Sequence, residues 1–441
     1  MFIAPQNSNN AYGVRSLASS TAQRQGAQLA WSLAGSLVLM ASYGIALVLH
    51  QAQWVTFQVE HTVLWCALPY ALAAHWIYRG AGLPVAERTS LLFLTTLMPF
   101  FLLMLAFALM QIAYSRGAVL LVYLLSTAWF ALGDWRQRRH HGLQLVCLDD
   151  TVPPMLACFC SADILSRQDI RLLPWSSNLC ESDQHLVADG VVIDRHVSLT
   201  DERSRILAML KLSHVRLYSV EAVVELLTGR KVLPGGQDEL WQLDGNPAYD
   251  VAKRVMDVTV VLLTLPIWLP LCLAVAMAVR LDSAGPVLFS QIRVGRDGRS
   301  FKIWKFRSMR HEAQPQSARF AQLQDERITR VGQRIRRMRL DELPQLVNVL
   351  MGDMSLIGPR PEQNQFVEAF ATRIPSYTYR HLVRPGLTGW AQMQQGYADS
   401  EDGTVVKLSY DLYYVAHYSM ALDMLIAYKT IRTVLNGFGA R

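Results

Sequence analysis

Four apolar runs in the first third of the chain constrain its fold more than any other feature. They extend over roughly Leu29–Leu49, Thr62–Tyr78, Leu91–Ile112 and Ala118–Gly133. Each run is close in length to the about 20 residues that a helix needs to cross a hydrocarbon layer. Because short connections join the runs, the sequence predicts a compact transmembrane bundle of four helices over residues 29–134.

The composition agrees with a membrane protein that carries water-soluble parts. The 441-residue chain is 51% hydrophobic and 17% charged, whereas soluble domains average about 25% charged residues. The net charge of +7 suits nucleic acid, anionic lipid or a phosphorylated substrate. The apolar runs favour the last two, so we expect contact with membrane lipid and no nucleic-acid partner. The six scattered cysteines indicate reduced, structural thiols rather than a zinc site.

The distribution of positive charge predicts the orientation of the bundle. Arginines lie before the first run, between the second and third runs and after the fourth run: Arg15, Arg24, Arg79, Arg88, Arg136, Arg138 and Arg139. The other two connections contain only Arg116 as a fixed positive charge. By the positive-inside rule, the N-terminal segment 1–28 and everything after residue 134 lie in the cytoplasm.

Residues 142–235 have the pattern of a small α/β domain. Strand-like segments (LQLVCL, GVVID and VRLYSV) alternate with the helical segments TDERSRILAMLKLS and EAVVELLTG, the second ending at Gly229. The segment contains no glycine-rich phosphate loop, so we expect no nucleotide site here. The Gly- and Pro-rich residues 236–250 are predicted to be a linker to a C-terminal domain over residues 251–441.

A fifth apolar segment, Val258–Val279, opens the C-terminal domain. Positive charge flanks both of its ends, which is unexpected for a helix that leaves the cytoplasm. Pro266 and Pro270 lie at its centre, and a proline inside a helix removes a hydrogen bond and bends the axis. These facts favour a re-entrant helix over residues 253–282 that returns to the same membrane face. The alternative is a Pro-kinked helix that spans the membrane.

Basic residues then cluster around one pair of carboxylates. Arg330, Arg334 and Arg337 share a helix face suited to an anionic membrane surface, and Asp341 and Glu342 follow. The cluster is either an ordinary set of surface salt bridges or a phosphate site. With so many cations nearby, we expect Asp341 to stay ionised well below neutral pH and to be able to attack phosphorus. Its neighbour is a natural Mg²⁺ ligand.

Other motifs in this domain point the same way. In a strand, Lys305 and Arg307 would share one face opposite the aromatic residues. Arg360 stands between two prolines, Arg384 precedes a Pro-Gly pair, and Asp411 lies among aromatic residues. Each feature alone is commonly a solvated strand, a loop arginine or a capped helix. Their density beside a re-entrant helix favours a site that binds phosphate.

The ordered motifs of residues 250–441 resemble one family, the bacterial sugar transferases. The motifs are KRVMD, GPVLFSQIRVGRDGRSFKIWKFRSM, RITRVG, LDELPQL-NVL-GDMSLIGPRP, RPGLTGWAQ and YDLYY. Members of this family are monotopic polyprenyl-phosphate sugar-1-phosphate transferases that start the assembly of exopolysaccharide, capsule and O-antigen. The four-helix front and middle domain resemble the large, bundle-bearing branch of that family.

The resemblance implies a reaction and a set of site residues. A UDP-sugar, with glucose favoured over galactose, would donate its sugar 1-phosphate to undecaprenyl phosphate and release UMP. The phosphosugar would pass through Asp341, Glu342 would help bind Mg²⁺, and Arg336 and Arg360 would contact phosphates. Motif positions near the site are matched by Lys305, Arg307, Arg384 and Asp411, and the membrane anchor is matched by Pro266 and Pro270.

The resemblance also implies a location and assembly. The protein would lie in the bacterial inner membrane as a multi-pass protein with its active site on the cytoplasmic face. A bundle with a small extra domain is compatible with a homodimer.

Two other classes of protein are alternatives to this interpretation. A non-catalytic scaffold could bind anionic lipid through the same arginines, but lipid binding needs no carboxylate pair at Asp341 and Glu342. A processive glycosyltransferase would need a separate DxD-type metal site and a translocation pore, and Asp149-Asp150 is a poor candidate for that site.

Overall fold

The computed structural model describes most of the chain. The described residues are 30–49, 53–79, 87–140, 143–160, 164, 170–175, 190–198, 200–212, 215–233, 247–310, 327–395 and 401–435. The predicted N-terminal segment 1–28 and residues 236–246 of the predicted linker lie outside them. The chain divides into two compact units, Met1–Gly229 and Arg230–Arg441.

The apolar runs of the first unit form helices that pack on one another. The helices are α1 (Ser36–Leu49), α2 (Gln53–Trp65), α3 (Ala67–Arg79), α4 (Arg88–Leu109) and α5 (Arg116–His140). Their shared core contains Val63, Phe100, Leu103 and Val122. Large apolar side chains such as Leu33, Met40 and Phe101 are exposed instead, as expected for helix faces that meet lipid rather than water.

The second apolar run is divided at Cys66. Helical hydrogen bonds continue on both sides of the division, from the Cys66 N–H to the Thr62 carbonyl at 3.1 Å and from the Tyr70 N–H to the Cys66 carbonyl at 3.2 Å. Pro69 lacks the N–H that would bind the carbonyl of Trp65. The proline therefore explains why this run gives two short helices.

Three helices in the described part of the chain are long and apolar enough to cross a membrane. They are Thr89–Leu109, Arg116–Arg136 and Leu265–Asp282, and a shorter apolar helix covers Ala30–Ile45. The third and fourth apolar runs thus have crossing length, as does the fifth segment. The transmembrane bundle of four helices stays a prediction.

A small parallel sheet follows the apolar helices. Its strands are β1 (Leu143–Cys147), β2 (Ile170–Pro174), β3 (Gly190–Ile193) and β4 (Leu217–Ser219), in the order β2-β1-β3-β4. The helices are α6 (Val152–Phe159), α7 (Asp201–Leu212) and α8 (Val220–Thr228). Gly229 ends α8 in the left-handed conformation, with φ of 65°. The predicted strands and helices are confirmed, whereas β2 was missed because its short sequence has no clear alternation.

The second unit is also of mixed α/β type. Its first elements are α9 (Pro247–Leu263), α10 (Leu265–Asp282), β5 (Leu288–Val294), β6 (Ser300–Phe306) and α11 (Arg330–Arg337). The next are α12 (Gln345–Met351), β7 (Ser355–Ile357), α13 (Asn364–Arg373) and β8 (Gly386–Thr388). The last are α14 (Trp390–Gln394), α15 (Glu401–His417) and α16 (Met420–Leu435). Strands β5 and β6 form an antiparallel hairpin, and β7 pairs with β8 in parallel.

The fifth apolar segment is broken at Thr264, between α9 and α10. Pro266, which lacks an N–H, lies two residues later, in the first turn of α10. The indole Nε1 of Trp268 donates to the Val261 carbonyl at 2.9 Å, and the Thr264 hydroxyl donates to the Val260 carbonyl at 2.7 Å. Side chains thus satisfy backbone carbonyls near the break, as a nonpolar environment requires. The break lies at the first predicted bend proline, whereas Pro270 lies inside α10.

Both arms of this broken helix, α9 and α10, pack against the rest of the second unit. At the start of α9, Lys253 forms an ion pair with buried Asp423 of α16. Near the end of α10, Val279 packs with Phe306 and Ile335. Between these ends several apolar side chains are exposed, including Ile267 at 73%, whereas Val261 and Val275 are buried. The segment therefore leaves and rejoins the same folded unit, with its apolar tip uncovered.

Replacing Lys253 by methionine should destabilise the second unit, because it leaves Asp423 as a buried, unpaired charge. Removal of one partner from a buried ion pair typically costs about 3–5 kcal/mol. The measurement is the free energy of unfolding in detergent micelles. The more exposed pair of Arg296 and Asp250 supplies the control, since Arg296→Gln should cost at most about 1 kcal/mol. Equal losses for the two variants would mean that the buried pair does not hold α9.

Candidate active site

The two adjacent carboxylates lie in a tight turn that the preceding helix sets up. Helix α11 is capped by Thr329, whose hydroxyl accepts a bond from the Gly332 N–H at 2.9 Å. After the helix, Arg339 adopts a left-handed conformation with φ of 54°, which is uncommon for a residue with a side chain. The chain then forms a single 3₁₀ turn, Leu340–Glu342. Asp341 and Glu342 therefore leave the backbone in different directions.

Glu342 is held by cations from separate parts of the chain. Its Oε1 accepts from the Lys305 ammonium at 3.2 Å and from the Arg360 guanidinium at 2.5 Å. Its Oε2 is 4.0 Å from Arg339. Burial alone would raise the pKa of Glu342, but the charges of Arg360 and Lys305 hold it well below its usual range. Glu342 is therefore a fixed anion at the centre of a cationic cluster.

Asp341 is in a different electrostatic state. Burial, followed by the neighbouring charge of Glu342, raises the pKa of Asp341 to about 6, against the opposing charges of Lys305, Arg360 and Arg336. The expectation that Asp341 stays ionised well below neutral pH is therefore wrong, because burial and a like charge outweigh the cations. Among the described residues, no hydrogen bond holds its carboxylate. Asp341 therefore titrates closer to neutral pH than an ordinary aspartate does.

Lys305 reaches the cluster from the end of strand β6. Ile303, two residues earlier on the same strand face, is buried against Val261 and Val349 and fixes the strand. Burial lowers the pKa of Lys305, although the charge of Glu342 opposes that shift. The paired ammonium is thus placed to neutralise Glu342 and to act on Asp341.

Arg360 is presented by a short segment, Pro359–Pro361, which we call the Pro-Arg-Pro segment. Its three carbonyls each accept a bond from elsewhere in the fold. In chain order the donors are the Gly386 N–H at 2.9 Å, the Arg380 guanidinium at 2.8 Å and the Arg293 guanidinium at 3.3 Å. The backbone of Arg360 is therefore held on both sides, while its side chain extends to Glu342.

The loops around this segment approach so closely that only glycine fits. A Cβ on Gly386 would lie 2.0 Å from the backbone nitrogen of Gly358, and a Cβ on Gly358 would lie 2.4 Å from the Arg384 carbonyl oxygen. In return, the Gly358 N–H donates to the Thr388 carbonyl at 2.9 Å. These glycines allow β7 and β8 to pair next to the site.

Asp411, predicted to bind phosphate, is a buried carboxylate that lines a cavity together with Arg380 and Lys407. It is 2% exposed, and its Oδ2 accepts from Arg380 at 2.8 Å. The Arg380 side chain also bonds the Tyr377 hydroxyl at 2.9 Å. Arg380 therefore links Asp411 to the Pro-Arg-Pro segment.

The other predicted arginines lie in different places. Arg307 follows the last residue of β6, outside the strand alternation, and its guanidinium binds the Ser283 carbonyl at 2.6 Å at the end of α10. These contacts make it a helix-capping residue. Arg384 donates from Nε to the Gly352 carbonyl at 3.2 Å, just after α12. Arg336 is half-buried on α11, and its charge acts on Asp341.

The carboxylate pair offers a small set of oxygen donors for a magnesium ion. In the described part of the chain, no group of three His, Cys, Asp or Glu side chains could hold a metal ion. Magnesium often uses only one or two carboxylates together with substrate phosphates and water. Lys305 and Arg360 bind Oε1 of Glu342, and Arg339 lies 4.0 Å from its Oε2, so Oε2 and the Asp341 carboxylate are the donors that a cation could share. This donor set fits a phosphate-bound magnesium ion.

A second ion cluster, missed in the sequence, lies just after the Pro-Arg-Pro segment. Glu362 binds Lys407 at 2.5 Å and Arg293 at 3.6 Å. Burial would raise the pKa of Glu362, but the charges of Lys407, Arg380 and Arg293 lower it to about 2. The cluster joins residues more than 100 positions apart, so no local pattern reveals it. The sequence also does not reveal Arg380, because its partner Asp411 lies 31 positions away, on α15.

Comparison with known proteins identifies the second unit. A family model described as bacterial sugar transferase matches residues 248–437. The chain is 49% identical over 255 residues to the UDP-N-acetylgalactosamine-undecaprenyl-phosphate N-acetylgalactosaminephosphotransferase of Aeromonas hydrophila, covering 57% of this chain and 60% of that protein.

Two further relatives are described as UDP-glucose:undecaprenyl-phosphate glucose-1-phosphate transferases. The Escherichia coli protein is 40% identical over 181 residues, covering 41% of this chain and 39% of that protein. The Caulobacter vibrioides protein is 40% identical over 190 residues, covering 43% of this chain and 71% of that protein. The chain therefore spans less than two thirds of the first two relatives and more than two thirds of the third.

Replacing Gly386 by alanine should separate β7 from β8, because the new Cβ meets backbone atoms that cannot move aside. Overpacking of this kind typically costs about 1–3 kcal/mol. Gly117→Ala is the matched control, since a Cβ there has no neighbour within 4 Å, and it should leave stability unchanged or slightly higher. Thermal unfolding in micelles measures both. A Gly386→Ala protein as stable as wild type would contradict the close approach.

Glu362 should contribute stability that disappears in acid. Its pKa in the folded protein is about 2, below the ordinary glutamate value, so the contribution is present above about pH 4.5 and is lost as pH falls toward 2. Glu362→Gln should therefore be less stable than wild type at pH 7, and the difference should narrow below pH 4.5. Denaturant unfolding across this range measures it, with exposed Glu368→Gln as control. A pH-independent difference would argue against the ion cluster.

Proposed function

The chain belongs to the bacterial sugar transferase family, and we propose that it transfers a sugar 1-phosphate from a UDP-sugar to undecaprenyl phosphate. The reaction releases UMP and forms an undecaprenyl diphosphate sugar. This reaction would begin the assembly of a surface polysaccharide. The activities named for the relatives support the two substrate classes.

One observation carries the proposal, namely the unequal state of the two adjacent carboxylates. Glu342 is neutralised by Lys305 and Arg360, whereas no described residue donates a hydrogen bond to the Asp341 carboxylate. Two carboxylates with pKa values pushed apart by their surroundings commonly have separate roles. Asp341 is therefore the proposed nucleophile, and Glu342 organises the cations around it.

The proposed reaction has two displacements. First, a carboxylate oxygen of Asp341 attacks the sugar-bearing phosphorus of the UDP-sugar, the phosphoanhydride bond breaks, and UMP leaves with the bonding electrons. Then an oxygen of undecaprenyl phosphate attacks the same phosphorus, and the bond to Asp341 breaks to restore the carboxylate. Arg360 and Lys305 would stabilise charge on the phosphoryl oxygens in both steps.

Asp341 and Oε2 of Glu342 would hold Mg²⁺ together with the donor phosphates. When bound, the ion would neutralise phosphate charge and reduce the repulsion between the donor and an anionic nucleophile. Further positive charge around Asp341 comes from Arg336, Arg360 and Lys305.

The sugar is proposed from two lines of reasoning that differ. The family resemblance favours glucose over galactose, whereas the Aeromonas hydrophila relative, at 49% identity over 57% of this chain, favours N-acetylgalactosamine. The Escherichia coli and Caulobacter vibrioides relatives of the glucose type are 40% identical, and the matches cover 41–43% of this chain. We therefore propose a UDP-hexose or UDP-N-acetylhexosamine donor and make the choice between them experimental.

The broken apolar helix supports a membrane arrangement for this site. Because α9 and α10 both pack on the rest of the second unit, the chain would enter the bilayer from one face, turn at the exposed apolar tip near Ile267 and return to the same face. Exposed Arg330, Arg334 and Arg337 on α11 would then face anionic headgroups. With the positive-inside rule, this gives an inner-membrane protein whose active site meets undecaprenyl phosphate at the cytoplasmic face.

Replacing Asp341 by asparagine should abolish UMP release while leaving the fold intact. The assay uses purified protein, undecaprenyl phosphate and Mg²⁺, with UDP-glucose, UDP-galactose or UDP-N-acetylgalactosamine. Loss of an essential nucleophile should lower the rate by at least about 10³-fold. Asp297→Asn is the control, because this exposed aspartate lies in a turn with φ of 57° that asparagine tolerates.

The assay compares UMP release by wild type and the two variants across the donor panel. Wild type and Asp297→Asn should release UMP with one donor of the panel, and Asp341→Asn should not. Near-normal activity of Asp341→Asn would exclude Asp341 as the nucleophile. A wild type that is silent with every donor, including a wider panel of nucleotide sugars, would overturn the transferase proposal.

A further inference from the structure

Arg380 is a buried arginine with three different partners. It is 3% exposed, and it bonds the Asp411 carboxylate, the Tyr377 hydroxyl and the carbonyl of Arg360 at 2.8, 2.9 and 2.8 Å. We propose that Arg380, paired with Asp411, is a positioning residue that holds the backbone of Arg360 so that its side chain reaches Glu342. This inference rests on the proposed function, since it assigns a role within that site.

The Pro-Arg-Pro segment needs such external support. Pro359 and Pro361 have no N–H and cannot donate to a sheet or helix. Apart from the Arg360 N–H, the backbone anchors of the segment are its carbonyls, and the middle carbonyl is held by Arg380. Loss of that bond would remove the anchor at the residue that carries the active side chain.

The geometry of Arg380 suits this role better than that of another cation would. One terminal nitrogen, Nη2, donates to both Asp411 and the Arg360 carbonyl, while Nη1 donates to Tyr377. The planar, rigid fork of arginine makes these bonds simultaneously. A lysine ammonium keeps the charge that Asp411 requires, but it has no fork to hold both partners in one geometry.

The alternative is that Arg380 and Asp411 form a buried ion pair that only stabilises the core. A buried pair is weak evidence for stability in itself. The two roles make different predictions, because only a positioning role transmits the substitution to Arg360. A test must therefore separate loss of stability from loss of alignment.

The first experiment compares Arg380→Lys with Leu412→Val in the full-length protein. Leu412 follows Asp411 on α15, is 1% exposed and packs in the cluster that contains Tyr377, so its truncation weakens the same region without touching the Pro-Arg-Pro segment. Arg380→Lys should lower kcat for UMP release by about 10–100-fold, as small misplacements of active groups do. Leu412→Val should lower the unfolding temperature and leave kcat near wild type.

A double-mutant cycle with Arg360→Ala tests whether the effect passes through Arg360. If it does, Arg380→Lys should reduce the residual rate of Arg360→Ala by less than about twofold. An undiminished effect in that background would show that Arg380 acts by another route. Equal kcat values for Arg380→Lys and Leu412→Val would overturn the inference outright.

A readout without turnover separates this inference from the proposed function. Hydrogen exchange of the peptide that covers β7 and the Pro-Arg-Pro segment should be faster in Arg380→Lys and unchanged in Leu412→Val. If wild type releases no UMP from any donor, the proposed function fails, and hydrogen exchange alone then decides the positioning role. Unchanged exchange in Arg380→Lys would reject it.

Discussion

The structure of the site depends on the buried carboxylate of Glu342. Three separate stretches meet at this one group: strand β6 through Lys305, the 3₁₀ turn through Glu342 itself, and the Pro-Arg-Pro segment through Arg360. A buried anion of this kind is tolerated only when cations pair with it closely. The need to neutralise Glu342 therefore gathers the positive charge that also acts on Asp341, and the site follows from that requirement.

The supports of this cluster lie outside the motifs themselves. The Pro-Arg-Pro segment is held through its carbonyls by β8, Arg380 and Arg293, and Gly358 and Gly386 let the backbones approach. Lys253 joins α9, the first arm of the broken apolar helix, to α16. The broken helix and the site therefore belong to one folded unit. Rigid support for a few active groups is what phosphoryl transfer requires, because its catalysis is largely positioning and electrostatics.

The sequence predicted which residues meet in the central ion cluster better than it predicted the contacts of the residues around that cluster. Asp341, Glu342, Lys305 and Arg360 were found because their types and spacing are local. Arg307 and Asp411 were assigned to phosphate, but their contacts are with Ser283 and Arg380, which no local pattern reveals. The ionisation of Asp341 was misjudged because burial cannot be read from charge spacing. The proline break at Thr264 was predictable, since a proline removes a defined hydrogen bond.

The most direct test of the account is to look for the phosphosugar on Asp341. Purified protein would be incubated with Mg²⁺ and its UDP-sugar donor in the absence of undecaprenyl phosphate, and the peptide with Asp341 analysed by mass spectrometry. The account predicts one sugar phosphate on Asp341, an equal amount of UMP, and loss of the adduct when undecaprenyl phosphate is added. UMP release only when both substrates are present, with no adduct, would contradict it.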